Sequence, residues 1–153
     1  MLFRSFGLPD AFSDSIEAAA QAISEQIPEQ EIQNRKDFRK HCTFTIDPQD
    51  AKDFDDALSV QINSENVIQI GVHIADVTHY VKPGTELDEE AYSRATSVYL
   101  VDRCIPMLPE RLSNNLCSLR PHEDKLCFSA VFELNLQGQL LNEWFGKIGR
   151  AHV

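Results

Sequence analysis

CTFTIDPQDAKDFDDALSVQI, residues Cys42 to Ile62, is where the chain changes period and gathers its acid. Phe44 and Ile46 alternate with Thr43, Thr45 and Asp47, the period-2 pattern of a strand. Pro48 predicts its end. Leu58, Val60 and Ile62 alternate again, predicting a second strand over about 57–62 with these three on one face. Between the two strands, five aspartates fall within ten residues: Asp47, Asp50, Asp53, Asp55 and Asp56. Asn63-Ser64-Glu65-Asn66 is turn material. A third strand, about 67–74, then closes a hairpin. Further on, Leu126, Phe128, Ala130, Phe132 and Leu134 share one parity, Gln137-Gly138 turns, and a returning strand is predicted over 140–145.

Outward from these strands the period lengthens. Ile16, Ala19, Ala20, Ile23 and Ile27 recur at helical spacing, predicting a helix over 13–27 with Ser13 or Asp14 as its cap. Pro28 is expected to stop it. Residues 29–41, charged throughout, read as a surface connector. A helical turn follows Asp76, and Thr85 to Ala95 predicts a helix with Leu87, Ala91 and Ala95 on one stripe. Ser97 to Val101 reads as a short strand and Glu110 to about Leu116 as a short helix. The class is α+β, a mainly antiparallel sheet with flanking helices. The expected organisation is a helical lead-in and connector over 1–41, a main domain over 42–147, and a patternless tail, 148–153, read as non-native because it resembles translated adapter sequence.

The chain has 153 residues, 42% hydrophobic and 25% charged, with a formal net charge of -10. That is one globular domain's worth. No apolar run approaches the roughly 18–20 residues of a membrane span. MLFRSFGLPD lacks the features of a secretory signal, so a cytoplasmic protein is expected. Cys42, Cys104, Cys117 and Cys127 fit no zinc spacing and read as reduced thiols.

Net acidity argues against a phosphate-tracking surface, but focused acid is what a divalent cation needs. Adjacent carboxylates repel and Asp is a poor strand former. The bland reading is a solvated acidic loop. Against it, the flanking apolar strands place the loop at a sheet edge, with Asp47 after one strand and Asp55 and Asp56 opening the next. Magnesium takes oxygen ligands, and two such ions about 3.5–4 Å apart serve phosphodiester cleavage. A calcium EF-hand fails, because from Asp53 its fifth and sixth positions fall on Ala57 and Leu58. His73 and His79 are weaker ligand candidates, since magnesium prefers oxygen.

TIDPQDAKDFDDA resembles the catalytic signature of the ribonuclease II / ribonuclease R family, the RNB catalytic domain. Asp47, Asp53, Asp55 and Asp56 match its four spaced aspartates, and Asp50 stands outside the set. HIADVTHYV from His73, ATSVYLVDRCIPMLPERLSNNLCSL from Ala95 and RKDFRK from Arg35 resemble the same family, nearer its ribonuclease R branch. The resemblance implies a partial RNB-type domain of a 3′-to-5′ exoribonuclease that hydrolyses single-stranded RNA to nucleoside 5′-monophosphates. It implies two Mg2+ ions, Mn2+ being an alternative, held by Asp47, Asp53, Asp55 and Asp56. Asp55 would be the catalytic carboxylate and Tyr99 an RNA-stacking residue. The implied enzyme is monomeric and not membrane-bound.

Family domains continue beyond this length, so the chain alone is expected to be inactive, with the face from Leu126 to Leu134 short of a cover. The competing reading is a non-catalytic acidic metal-binding or docking module.

Overall fold

The computed structural model describes residues 7–152 apart from Ser64. The opening MLFRSF and Ser64 of the hairpin turn therefore lie outside the described residues. The chain folds as two units, Met1–Glu25 with Thr78–Leu116, and Gln26–Val77 with Cys117–Val153.

The second unit is built on one sheet. Its strands are β1 (Lys36–Asp37), β2 (Cys42–Phe44), β3 (Asp56–Ile62), β4 (Ile68–Ala75), β7 (Asp124–Leu134) and β8 (Leu140–His152). They lie in the order β1-β8-β7-β4-β3-β2. All neighbours are antiparallel except β1, which runs parallel to β8. The hairpins expected at Asn63–Asn66 and Gln137-Gly138 both form. The returning strand does not close at Phe145 but runs through Ile148, which is fully buried opposite Cys127 and Lys36.

The two sheet faces invert the expected burial. Ala57 and Ser59 of β3 are buried, whereas Val60 is 40% and Ile62 62% exposed. On β4 and β7 the covered positions are Gly71, His73, Ala75, Cys127, Ser129 and Val131. Leu126 is buried as well, but Phe128 is 49% exposed, because a register shift between Lys125 and Cys127 breaks the alternation. The cover is the segment expected to be a surface connector. It forms a short helix, α2 (Glu29–Gln33), and strand β1, with Phe38 buried and its ring packed edge-on against His73. Small residues on β3 and β4 leave room for these two rings. The opposite face carries Phe44, Leu58, Val72, Ala130 and Phe145 in one cross-strand row.

The first unit contains α1 (Asp14–Gln21), α4 (Glu86–Arg94), the hairpin β5 (Val98–Tyr99) and β6 (Cys104–Ile105), and a π-helical turn, Leu112–Leu116. Ser13 caps α1 by accepting from the Ile16 N–H. The helix ends at Ala22 rather than at Pro28. Arg111 donates to Ile23 O and to Glu25, and Asn115 donates to Glu25, so tertiary hydrogen bonds replace another helical turn. Thr85 caps α4, and Ala95 leaves it at φ 64°, so Ala95 terminates the stripe instead of extending it. The short helix α3 (Val77–Tyr80) carries the chain from one unit to the other.

Candidate functional site

The acidic run is held by its backbone. Asp56 opens β3 opposite Ile74 of β4. Asp55 lies just before it, its carbonyl accepting from the Ala75 N–H at 3.0 Å. The Phe54 N–H donates to Ser118 Oγ at 3.0 Å, and the Phe54 carbonyl accepts from the Leu119 N–H at 2.8 Å. Ser118 Oγ in turn donates to the Lys52 carbonyl at 3.0 Å. β2 ends at Phe44, so Asp47 lies in the loop rather than at a strand end. A turn closed by Ala51 N–H to Pro48 O carries Asp50. Asp53 is half-buried, whereas Asp47, Asp50, Asp55 and Asp56 reach solvent.

Charge is focused on one member. The Asp55 carboxyl is less acidic than an ordinary aspartate, first because packing strips water from part of it and then because Asp53, Asp56 and Asp47 repel its charge. Three carboxylates thus act on a fourth. Among the described residues, however, no three His, Cys, Asp or Glu side chains come close enough together to hold a metal ion. The oxygen donor set and the accumulated negative field fit a divalent cation. The side chains share a field without having closed into a coordination shell.

The profile of the family described as RNB domain matches residues 35–148. The chain belongs to the RNB-domain family. It is 46% identical over 140 residues to ribonuclease R of Aquifex aeolicus, covering 92% of this chain and 20% of that protein. It is 51% identical over 122 residues to a protein of Arabidopsis thaliana named inactive exonuclease DIS3L2, covering 80% of this chain and 12% of that one. Among solved structures, Mycoplasma genitalium RNase R in complex with ribose-methylated single-stranded RNA superposes with a TM-score of 0.85. It is 31% identical and is matched over 93% of this chain and 22% of its own. The chain thus spans about a fifth or less of the length of these relatives.

Other candidates fall differently in this RNB chain. Tyr99 lies in the other unit, on β5 opposite Cys104, and is 65% exposed. His73 is not placed as a ligand. It is buried, with Nδ1 2.8 Å from Ser129 Oγ and Nε2 2.8 Å from Ser59 Oγ. Burial, and then His41, push its imidazole down to about 4. Burial pushes the Cys117 and Cys127 thiols up to about 12, so neither offers a thiolate near neutral pH.

Two features escaped the reading of the sequence. Asp76 is buried and is paired with Arg35 at 2.7 Å and Lys147 at 3.0 Å, which takes it out of the acidic site. Ser118 is the other. Its contacts lie 64 and 66 residues away in sequence, so no local pattern reveals it.

Proposed function

We propose that this chain is the metal-holding part of a hydrolytic 3′-to-5′ exoribonuclease that acts on single-stranded RNA and releases nucleoside 5′-monophosphates. The observation that carries the reading is that Asp47, Asp53 and Asp56 all repel the charge of Asp55 within an RNB chain. Those four residues would hold Mg2+, as two ions, and Mn2+ suits the same oxygen donors. When bound, such a pair supplies an activated water and an offset for charge on the leaving oxygen. Asp55, whose negative charge its surroundings oppose, would accept a hydrogen bond from the attacking water and orient it. Tyr99, exposed on its hairpin, offers a ring for a base near the RNA end, where stacking contributes ~1–3 kcal/mol without regard to sequence. Spanning a fifth of the relatives, the chain alone is expected to turn over little RNA.

A second reading is an acidic docking surface without turnover. The solvent exposure of Asp47, Asp55 and Asp56, and the absence of a closed donor set among the described residues, favour it. The test grafts residues 35–148 into Aquifex aeolicus ribonuclease R in place of its matching segment. Mg2+-dependent shortening of 5′-labelled single-stranded RNA, abolished by Asp55→Asn while RNA binding persists, supports the nuclease. A folded, RNA-binding graft that leaves the RNA intact supports the docking surface.

A further inference from the structure

The acidic run has no regular secondary structure between the end of β2 and Asp56, yet its last part is not free to wander. Lys52, Phe54 and Asp55 each have a backbone group tied to a distant part of the second unit. On one side Ala75, the last residue of β4, donates to the Asp55 carbonyl. On the other side a single hydroxyl makes two bonds. Ser118 Oγ accepts from the Phe54 N–H and donates its own hydrogen to the Lys52 carbonyl, both at 3.0 Å. The next residue, Leu119, donates to the Phe54 carbonyl at 2.8 Å. Ser118 and Leu119 are both fully buried, so their ends of these bonds are shielded from water. The residue enclosed between the two backbone groups that Ser118 binds is Asp53, and the residue after Phe54 is Asp55.

From this geometry we infer that Ser118 is a positioning residue for the acidic site. Its hydroxyl bridges the backbone on either side of Asp53 and fixes the direction in which Asp53 and Asp55 leave the chain. The inference rests on the metal-holding reading above. It concerns a residue that touches neither metal nor RNA and acts only through the loop it clamps. A hydroxyl is required because one group must both accept and donate. Without it, both the Phe54 N–H and the Lys52 carbonyl lose their partner. The loop then opens where repulsion among Asp53, Asp55 and Asp56 already pushes it apart.

The test uses the 153-residue chain with Ser118→Ala and Ser118→Thr, Mg2+ alone as the titrant, and backbone amide hydrogen exchange. In Ser118→Ala the Phe54 amide should exchange at least ~10-fold faster while the Val72 amide, in the middle of β4, keeps its rate. Mg2+ affinity should fall roughly 10- to 100-fold, the range seen when a residue supporting metal ligands is removed. Ser118→Thr, which keeps the hydroxyl, should restore both. Unchanged exchange at Phe54, or equal acceleration at Phe54 and Val72, would overturn the clamp and leave Ser118 a general packing residue. Unchanged Mg2+ affinity despite faster exchange at Phe54 would overturn its role in the site. A parent chain that binds no Mg2+ would overturn the metal-holding reading itself, and with it the purpose assigned to the clamp. Exchange at Phe54 would still report separately whether the clamp exists.

Discussion

Acidifying the solution should destabilise this fold through His73, by an amount the structure sets. The ring is fully buried and its two nitrogens each meet a hydroxyl. A neutral imidazole donates from one nitrogen and accepts at the other, and both serines can adapt. An imidazolium would bring a charge into a site where Phe38 stacks on His41 and packs edge-on against His73. The imidazole accordingly titrates at about 4 instead of the ordinary 6.5. Because the folded value is depressed, the unfolded chain binds the proton first. Stability from this residue is therefore intact above about pH 7, falls as pH drops through 6.5, and stops falling below about 4. At ~1.4 kcal/mol per pH unit, the loss reaches ~1.4 kcal/mol by pH 5.5, ~2.6 by pH 4.5 and ~3.4 at the acid limit. Urea unfolding of the parent and of His73→Gln at pH 7, 5.5 and 4.5 isolates the effect, because other titrating groups cancel in the difference. The parent should lose its advantage over the variant by those amounts. The ring's own proton resonances should titrate near pH 4. A ring that titrates near 6.5 in the folded chain, or a difference that stays flat between pH 7 and 4.5, would refute the reasoning.

Asp55→Asn should stabilise the metal-free chain by up to ~1 kcal/mol after solvent screening is allowed for, since it removes the charge that three carboxylates repel; urea midpoints in EDTA read this out. Arg35→Ala should cost ~3–5 kcal/mol, because the Arg35 and Asp76 side chains are both buried and the carboxylate would lose its buried cation, the half-exposed Lys147 being a weaker substitute; thermal unfolding of this variant measures it. Gly71→Ala should cost ~2–4 kcal/mol, because the new methyl would overlap Ser59 Oγ and sit 2.6 Å from His73 Nε2, forcing apart a buried hydrogen bond. Its expected signature is a loss of protection at Ser59 and Ser129 in hydrogen exchange.

What the sequence revealed was the period of each element and the place of the acid between two strands. What it concealed was which side of each strand faces inward. On β3 and β4 both parities are plausible insides, with Val60, Ile62, Ile70 and Ile74 on one and Ala57, Ser59, Gly71 and His73 on the other. Hydropathy favours the first, and the fold buries the second. The covering segment, residues 29–41, is charged, so Phe38 and the aliphatic stem of Arg35 read as incidental. His73 with Ser59, Gly71 and Ser129 forms a unit only once three strands are in register, with His73 opposite Ser129 and Ser59 opposite Gly71. The acidic run was legible in the same partial way. Its local chemistry could be read from spacing. The turn that carries Asp50 and the clamp from Ser118 depend on contacts that spacing does not encode. Ile148 likewise looked like the start of a patternless tail until β1 and β7 were seen on either side of it.

The most direct measurement is a calorimetric titration of the folded 153-residue chain with Mg2+, beside the Asp47→Asn/Asp56→Asn double variant and Asp50→Asn. If the four aspartates form one cation site, the parent and Asp50→Asn bind saturably and alike, and the double variant does not bind. Binding that survives the double variant, or that is lost in Asp50→Asn as well, would mean that the acid acts as a diffuse charged surface and not as a metal centre.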